Sequence, residues 1–445
     1  MPGIILSVDI GTSSLKAALI DLDGRLKAFS RMAYSAGGGI TGAEDWERAF
    51  VRTVGDLHAQ APDLGIDGIC ISGNGPTLVP IGRGGEALPP LYWSDAKTLL
   101  PPEGKSDSFF LPHAAWFKKN SPAEYEKTRL FMSSHEWLAS RLGAEALTVL
   151  PSELYEPWYW DDEQLRLFGL DRDKFPPFVK MGNVMGKVST DAARLAASFP
   201  GLKSGTPIIA GGPDFITALI GTGVSGPGDV CDRAGTSEGI NICASGRPPE
   251  TAVRGKGFRV LPHAVEGLWN VGAVIPSSGK LFERYRIETG QENRDYGELL
   301  EELISPGGWW DKPSGMPGDE KTARGRDVLL SIGFSVRFAL ESLALSGFAV
   351  KEMRVSGGQG KNPLWNQLKA DITQVTLMIP DIQDGELAGN AVLSALALGE
   401  SSSSGKAGLA EMMNRMIRFR KAYKPRSETA SLWGKKFRYY RGQSS

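Results

Sequence analysis

Cysteine is scarce in this chain: three residues, Cys70, Cys231 and Cys243, in a total of 445. Their spacing matches neither a disulfide framework nor a zinc site, so a reducing compartment, and with it a cytoplasmic location, is expected. Histidine is nearly as rare, and His58, His113, His135 and His263 stand at no metal-ligating interval. Net charge is almost nil: 50 lysines and arginines against 51 aspartates and glutamates leave a formal −1. No bulk basic field is therefore present to attract nucleic acid or an anionic membrane. The one basic run, Met412 to Lys424, reads as a solvated helix face. No uncharged apolar stretch is long enough to cross a bilayer. The opening MPGIILSVDIG has no basic leader or long apolar run and enters a strand pattern at once, so no signal peptide is expected.

What is present is an ordinary globular composition, 41% apolar and 23% charged, on a chain too long for one core. Ile4 to Ile10 reads as a buried strand, Leu15 to Asp21 as a second after a turn, and Arg25 to Tyr34 as a third after the hairpin signal Asp23-Gly24. Asp45 to Leu57 has helical spacing, and Ile66 to Ser72 is a further short strand. A related pattern recurs in Asp229 to Gly235, Gly239 to Ala244, Phe258 to His263 and Trp269 to Val274. Each half places a Gly-Thr-Ser element between strands, Gly11-Thr12-Ser13 and Gly235-Thr236-Ser237, which suggests a duplicated unit. The expected class is α/β in two domains, residues 1–222 and 223–445, divided near Gly221 to Gly228. Pro306 to Glu320 reads as a surface loop; Leu409 to Tyr423 reads as a final helix, and the tail after Pro425 as peripheral.

Four motifs bear on chemistry. In Asp9-Ile10-Gly11-Thr12-Ser13-Ser14-Leu15-Lys16 a carboxylate leaves a strand into a small turn. Its N–H groups and hydroxyls suit phosphate oxygens, with Lys16 adding charge and Asp9 facing Mg²⁺ through water; a polar hairpin with a capping Asp fits equally. In Ala210-Gly211-Gly212-Pro213-Asp214-Phe215 a strand delivers a carboxylate to a helix start, where it can accept the proton of an attacking alcohol or serve as an N-cap. In Val355 to Trp365, Gly357-Gly358 let backbone approach an adenine or phosphate, and Asn362-Pro363 open a helix to about Thr373. The glycine spacing is that of neither a P-loop nor a dinucleotide fingerprint, and a plain strand-to-helix turn remains open. Glu386 to Ala391 opens an apolar helix whose small residues permit close packing.

Taken in order, DIGTSSLK, Asp45-Trp46, YWSD ending at Asp95, GGPDF, AGTSEG, SGGQGKNPLWNQ and ELAGNAV resemble the FGGY family of carbohydrate kinases, its xylulokinase-like members above all. The matching stretches run from about Ile4 to Leu398. The resemblance implies two actin-like, ribonuclease-H-like ATPase domains with an interdomain cleft, the first for sugar and base, the second for nucleotide. It implies ATP and Mg²⁺ as cofactors and a small-molecule sugar or polyol as substrate. Asp214 would be the base and, with Asp9, face the metal. Gly11, Thr12, Ser13, Lys16, Gly235 and Thr236 would lie at the phosphates, and Gly357, Gly358, Gln359 and Asn362 around the adenosine. Homodimers occur among such kinases.

The sugar half departs from the family. Gly73-Asn74-Gly75-Pro76 stands where xylulokinases carry a His, Phe215 replaces an Asn, and His113 replaces a Lys. The segment between Asp95 and Trp116 is short. Asn74, Gly75, Trp93, Asp95 and Phe215 are the sugar-site candidates that remain, and xylulose is not assumed. Trp46 reads as core, and Asp95 reads either as a sugar contact or as a brace for its own loop. Trp158, Trp160, Trp309 and Trp310 are assigned no chemistry. Two other readings stay open: a nucleotide-binding sensor or scaffold derived from a sugar kinase, and another actin-like ATPase.

Overall fold

The structure is a computed structural model that describes residues 3–34, 42–93, 95–101, 104, 106–195, 201–235, 238–253, 257–275, 278–305, 320–401 and 405–443. These form two compact units. The first comprises Met1–Gly221, Pro262–Glu266 and Gly385–Met416, the second Thr222–Leu261, Gly267–Asp384 and Ile417–Ser445. The grouping thus differs from a single cut after residue 222, because Pro262–Glu266 and Gly385–Met416 join the first unit.

The first unit is built on strands β1 (Ile4–Ile10), β2 (Ser14–Asp21), β3 (Leu26–Ala33) and β4 (Gly68–Gly73). Two short pairs follow, β5 (Val79–Gly82) with β6 (Thr128–Met132) and β7 (Thr148–Leu150) with β8 (Phe178–Lys180). Strands β9 (Val184–Lys187) and β10 (Pro207–Pro213) then complete a six-stranded sheet of order β3-β2-β1-β4-β10-β9. Every residue of β1 and β4 is buried, as a strand covered on both faces requires, whereas β3 at the edge alternates. The helix Glu44–Gln60 packs on β2 and β3 through Trp46, Phe50, Val54 and Leu57, all fully buried. The helix Gly385–Ala397 lies against β1 and β4.

That helix meets the short helix Asp214–Gly221 at backbone distance. A Cβ on Gly221 would strike the Gly385 carbonyl, and one on Gly389 the Thr217 carbonyl. Its small residues therefore pack against the helix headed by Asp214.

The second unit repeats the plan. Its seven-stranded sheet has the order β13-β14-β12-β11-β15-β16-β17, with β11 (Val230–Ala234), β12 (Glu238–Ala244), β13 (Phe258–Pro262), β14 (Trp269–Ile275), β15 (Glu352–Ser356), β16 (Thr376–Pro380) and β17 (Phe419–Tyr423). The pair β11/β12 is an antiparallel hairpin like β1/β2, and β15 joins β11 in parallel as β4 joins β1. The duplication suggested by the two Gly-Thr-Ser elements is thus a duplication of strand order. The helix Glu320–Leu345 is long and apolar enough to cross a membrane by length and composition alone. Its apolar residues are nonetheless used in cores: Val336, Leu340 and Leu343 pack on the sheet, and Leu329, Ile332 and Phe334 against other helices.

Two expectations at the C-terminus are corrected. The helix starts at Gly405 and stops at Met416, and Phe419–Tyr423 is a strand, because it pairs antiparallel with β16 and closes that edge of the sheet. The tail is not peripheral. Ala430–Gln443 is a helix whose Trp433 and Phe437, four residues apart, are buried with Phe334, Trp365 and Ile372. Truncating Trp433 to alanine should cost about 3–5 kcal/mol, and Gly389→Ala about 1–3 kcal/mol through overpacking. Urea unfolding measures both, and unchanged midpoints would contradict these packing assignments.

Candidate functional site

Strand register gathers the first half of the site. Asp9 lies opposite Lys16 across the β1/β2 hairpin and opposite Ser72 on β4. The Ser72 hydroxyl donates to Asp9 Oδ1 at 3.0 Å, and Lys16 Nζ lies 3.6 Å from Oδ2. Glu386, from the first turn of the helix Gly385–Ala397, places Oε2 3.9 Å from the same ammonium. Asn390 locks that helix to the strands: its Nδ2 donates to the Val8 carbonyl at 2.8 Å and to Ser72 Oγ at 3.0 Å. Ser7 Oγ adds a bond to the Leu387 carbonyl at 2.8 Å.

Asp214 is delivered by a kink in β10. The register of β10 against β4 shifts between Ala210 and Gly212, and Gly212 has φ of 126°, a conformation costly for any other residue. Gly211 presses on the Ile71 carbonyl with no room for a Cβ. The carboxylate then heads a helix, half-buried, with Phe215 half-buried beside it. Asp214 and Glu386 are both near enough to act on Asp9. Burial pushes the Asp9 carboxyl up to about 8; the charges of Glu386 and Asp214 add to this, while Lys16 and the Ser72 hydrogen bond oppose it.

The turn beyond Asp9 is open. Thr12 and Ser13 are exposed, and the Gly11 N–H donates to the Ser14 carbonyl at 3.0 Å. The sugar-half candidates behave differently from one another. Asn74 is 1% exposed; its Oδ1 accepts from Thr77 and Ser134 at 3.2 Å each, while its Nδ2 is buried without a partner. Gly75 follows it, half-buried. Trp93 is 48% exposed. Asp95 accepts from the Tyr92 N–H at 3.2 Å and lies 3.8 Å from Lys97 Nζ, so it braces its own loop. His113 holds the next segment, with Nδ1 2.9 Å from the Lys97 carbonyl.

Two groups here escaped sequence reasoning. Glu386 was legible only as part of a packing motif. Tyr34, read as the end of a strand pattern, donates its N–H to the Ser13 carbonyl at 3.0 Å and buries an unpartnered hydroxyl. The charges of Asp9 and Asp45 both bear on that hydroxyl.

In the second unit the nucleotide-half candidates converge. Gly357, at φ 97°, leaves no space for a Cβ beside the Ala234 carbonyl, and Gln359 Nε2 donates at 3.2 Å both to the Gly235 carbonyl and to Ser278 Oγ. Gly358 faces open space. Asn362 caps the helix Pro363–Thr373 by accepting from the Trp365 N–H at 3.0 Å. Thr236 lies outside the described residues.

Two sheets of one topology, each with a glycine turn between its first two strands, define an actin-like, ribonuclease-H-like pair of α/β domains. The solved xylulose kinase from Rhodospirillum rubrum shares this fold with a TM-score of 0.76, at 18% identity over 99% of this chain and 98% of that one. The N-terminal domain of the FGGY family of carbohydrate kinases matches residues 107–221, and the C-terminal domain of the same family matches residues 316–398. A xylulose kinase of Bacillus subtilis (strain 168) is 23% identical over 498 residues, covering 98% of this chain and 96% of that protein. An autoinducer-2 kinase of Escherichia coli (strain K12) is 25% identical over 366 residues, covering 73% of this chain and 66% of that protein. The chain belongs to the FGGY family of carbohydrate kinases. It is accordingly a phosphotransferase that uses ATP as its donor.

Lys16→Met would leave Asp9 and Glu386 facing each other with no cation between them. We expect a loss of about 1–3 kcal/mol, less than for a fully buried pair because the lysine side chain is 19% exposed. Chemical unfolding of the ligand-free protein reads this directly, and an unaltered stability would show that Lys16 does not hold the two carboxylates.

Proposed function

We propose that this kinase transfers the γ-phosphoryl group of ATP to a hydroxyl of a small ketose, polyol or sugar acid, with Asp214 as the base. The observation that carries the reading is the placement of Asp214. It is a half-exposed carboxylate at a strand end and helix start, held there by a glycine kink and close enough to Asp9 to raise that carboxyl. A carboxylate so fixed can align an alcohol and accept its proton as the phosphoryl group transfers.

Asp9 and Asp214 are the groups proposed to hold Mg²⁺. Both offer hard oxygen donors, and their mutual repulsion is what a divalent cation relieves. Among the described residues no group of three or more His, Cys, Asp or Glu is placed to hold a metal. Mg²⁺ keeps waters and takes substrate phosphates as further ligands, so two protein carboxylates are enough for the proposed site. When bound, the ion neutralises phosphate charge. The exposed turn at Gly11, Thr12 and Ser13, with Lys16 behind it, is proposed for phosphate in the first unit, and Gly235 with Thr236 for phosphate in the second. Gly357, Gly358, Gln359 and Asn362 are proposed for the adenosine; the Asn362 oxygen already accepts one capping bond, and its amide N–H groups can donate to a ligand.

In the sugar half, Asn74 carries more weight than Asp95. Its Nδ2 is a buried donor in want of an acceptor, which a substrate hydroxyl supplies, and an unpaired buried donor costs about 1–3 kcal/mol. Gly75, Trp93 and Phe215 complete the proposed sugar contacts, Trp93 offering an exposed ring to a sugar face.

The reading is tested with a panel of pentoses, pentuloses, polyols and aldonates and Mg-ATP, following ADP formation. At least one sugar should be turned over, and Asp214→Ala should lower kcat for it by about 10²–10⁴-fold while nucleotide affinity is retained. An unchanged rate would remove Asp214 from its role. Silence across the whole panel, with ATP bound normally, would favour the sensor reading instead.

A further inference from the structure

Beneath Gly235 lies a sealed ionic cluster that the proposed chemistry does not use. Lys369, from the helix Pro363–Thr373, places Nζ 2.5 Å from Asp232 Oδ2 and also donates to Glu238 Oε1. The three residues are 1%, 0% and 1% exposed. Asp232 belongs to β11 and Glu238 to β12, where Glu238 pairs directly with Ala234. One lysine thus grips both strands at the ends that flank Gly235. The same helix is tied to the Gly357 turn by Asn366 Nδ2, which donates to the Gly360 carbonyl at 2.8 Å. Gln359 of that turn reaches back to the Gly235 carbonyl.

The charge count is unusual. Two carboxylates meet one ammonium, and Asp232 Oδ1 and Glu238 Oε2 are buried without partners. Leaving a net charge so deeply buried is very costly. One proton shared between the two carboxyl groups removes the excess charge and supplies a donor for the orphaned acceptor. Burial, with the charge of Asp232 adding and that of Lys369 opposing, pushes Glu238 up to about 8, so this proton is held at neutral pH. Burial alone would pull Lys369 down, but the two carboxylates outweigh it and keep it charged. Among the described residues, those are the titratable groups that act on Glu238; across from it on β14 stands Ile275.

We propose that Lys369 is a positioning residue for the nucleotide phosphates: by clamping Asp232 and Glu238 it sets the strand ends that present Gly235. This rests on the nucleotide half of the function proposed above. Loss of the shared proton sets two carboxylates against each other across those strand ends, so the clamp loosens as pH rises through about 8.

The test is calorimetric binding of MgADP and, separately, of adenosine to the full chain. Wild-type affinity for MgADP should be level up to about pH 7.5 and fall about tenfold by pH 9, with adenosine binding unaffected. Glu238→Gln, which keeps a neutral donor that cannot ionise, should match wild type at pH 7 and lose the alkaline fall. Lys369→Met should weaken MgADP more than tenfold and leave adenosine within about threefold. A fall that persists in Glu238→Gln overturns the proposal, even where Lys369→Met does not fold. Equal loss of MgADP and adenosine in Lys369→Met, or no loss of either, also overturns it, because a general structural role or none would then explain the cluster. A wild type that binds no MgADP at any pH overturns the function and this inference together.

Discussion

Everything in the first unit turns on one lysine holding two carboxylates apart. Asp9 is buried in the central strand, Glu386 comes from a helix more than 370 residues further along, and Lys16 lies between them. Such a grouping is unfavourable unless the surrounding bonds are numerous. They are supplied by Ser72, by Asn390 and by Ser7, each of which ties a strand of the central sheet to its neighbour or to the helix bearing Glu386. Asp214 then adds a third carboxyl group from the start of the helix that follows β10. The result is a concentration of hard oxygen donors beside an open glycine turn, which is where phosphate chemistry needs them.

The second unit repeats the arrangement with a different outcome. Again one lysine meets two carboxylates, and again a carboxylate comes from the strand that leads into a glycine turn. Here, however, the cluster is fully sealed. In the first unit Lys16 and Asp214 keep some exposure and remain within reach of a ligand. In the second, Lys369 can act only through the backbone it fixes. On the roles proposed above, the duplicated fold uses one electrostatic device for chemistry and the other for shape.

The sequence was most informative where a local rule applied. The strand Ile4–Ile10 is a mainly apolar run, broken only by Ser7 and Asp9 and ended by a glycine turn, and the helix Pro363–Thr373 announces itself by Asn-Pro. The glycine turns were legible because so few residues can occupy them. Long-range placement was hidden. Glu386 stood in a stretch that small-residue packing already explained, and Lys369 sat mid-helix with nothing in its neighbours to mark it as buried. The C-terminal helix was masked by its basic residues, which obscured Trp433 and Phe437 at helical spacing. Asn74 was picked out only as a departure from the family, and its orphaned amide appears only once Thr77 and Ser134 are seen to occupy its oxygen.

The central claim is that the Asp214 carboxylate meets the hydroxyl that is phosphorylated. A crystal structure of the protein with MgADP and whichever sugar is turned over would test it most directly. The account predicts an Asp214 oxygen within about 2.6–3.2 Å of one sugar hydroxyl. A bound sugar whose hydroxyls all lie beyond reach of that carboxylate, even through one water, would contradict it.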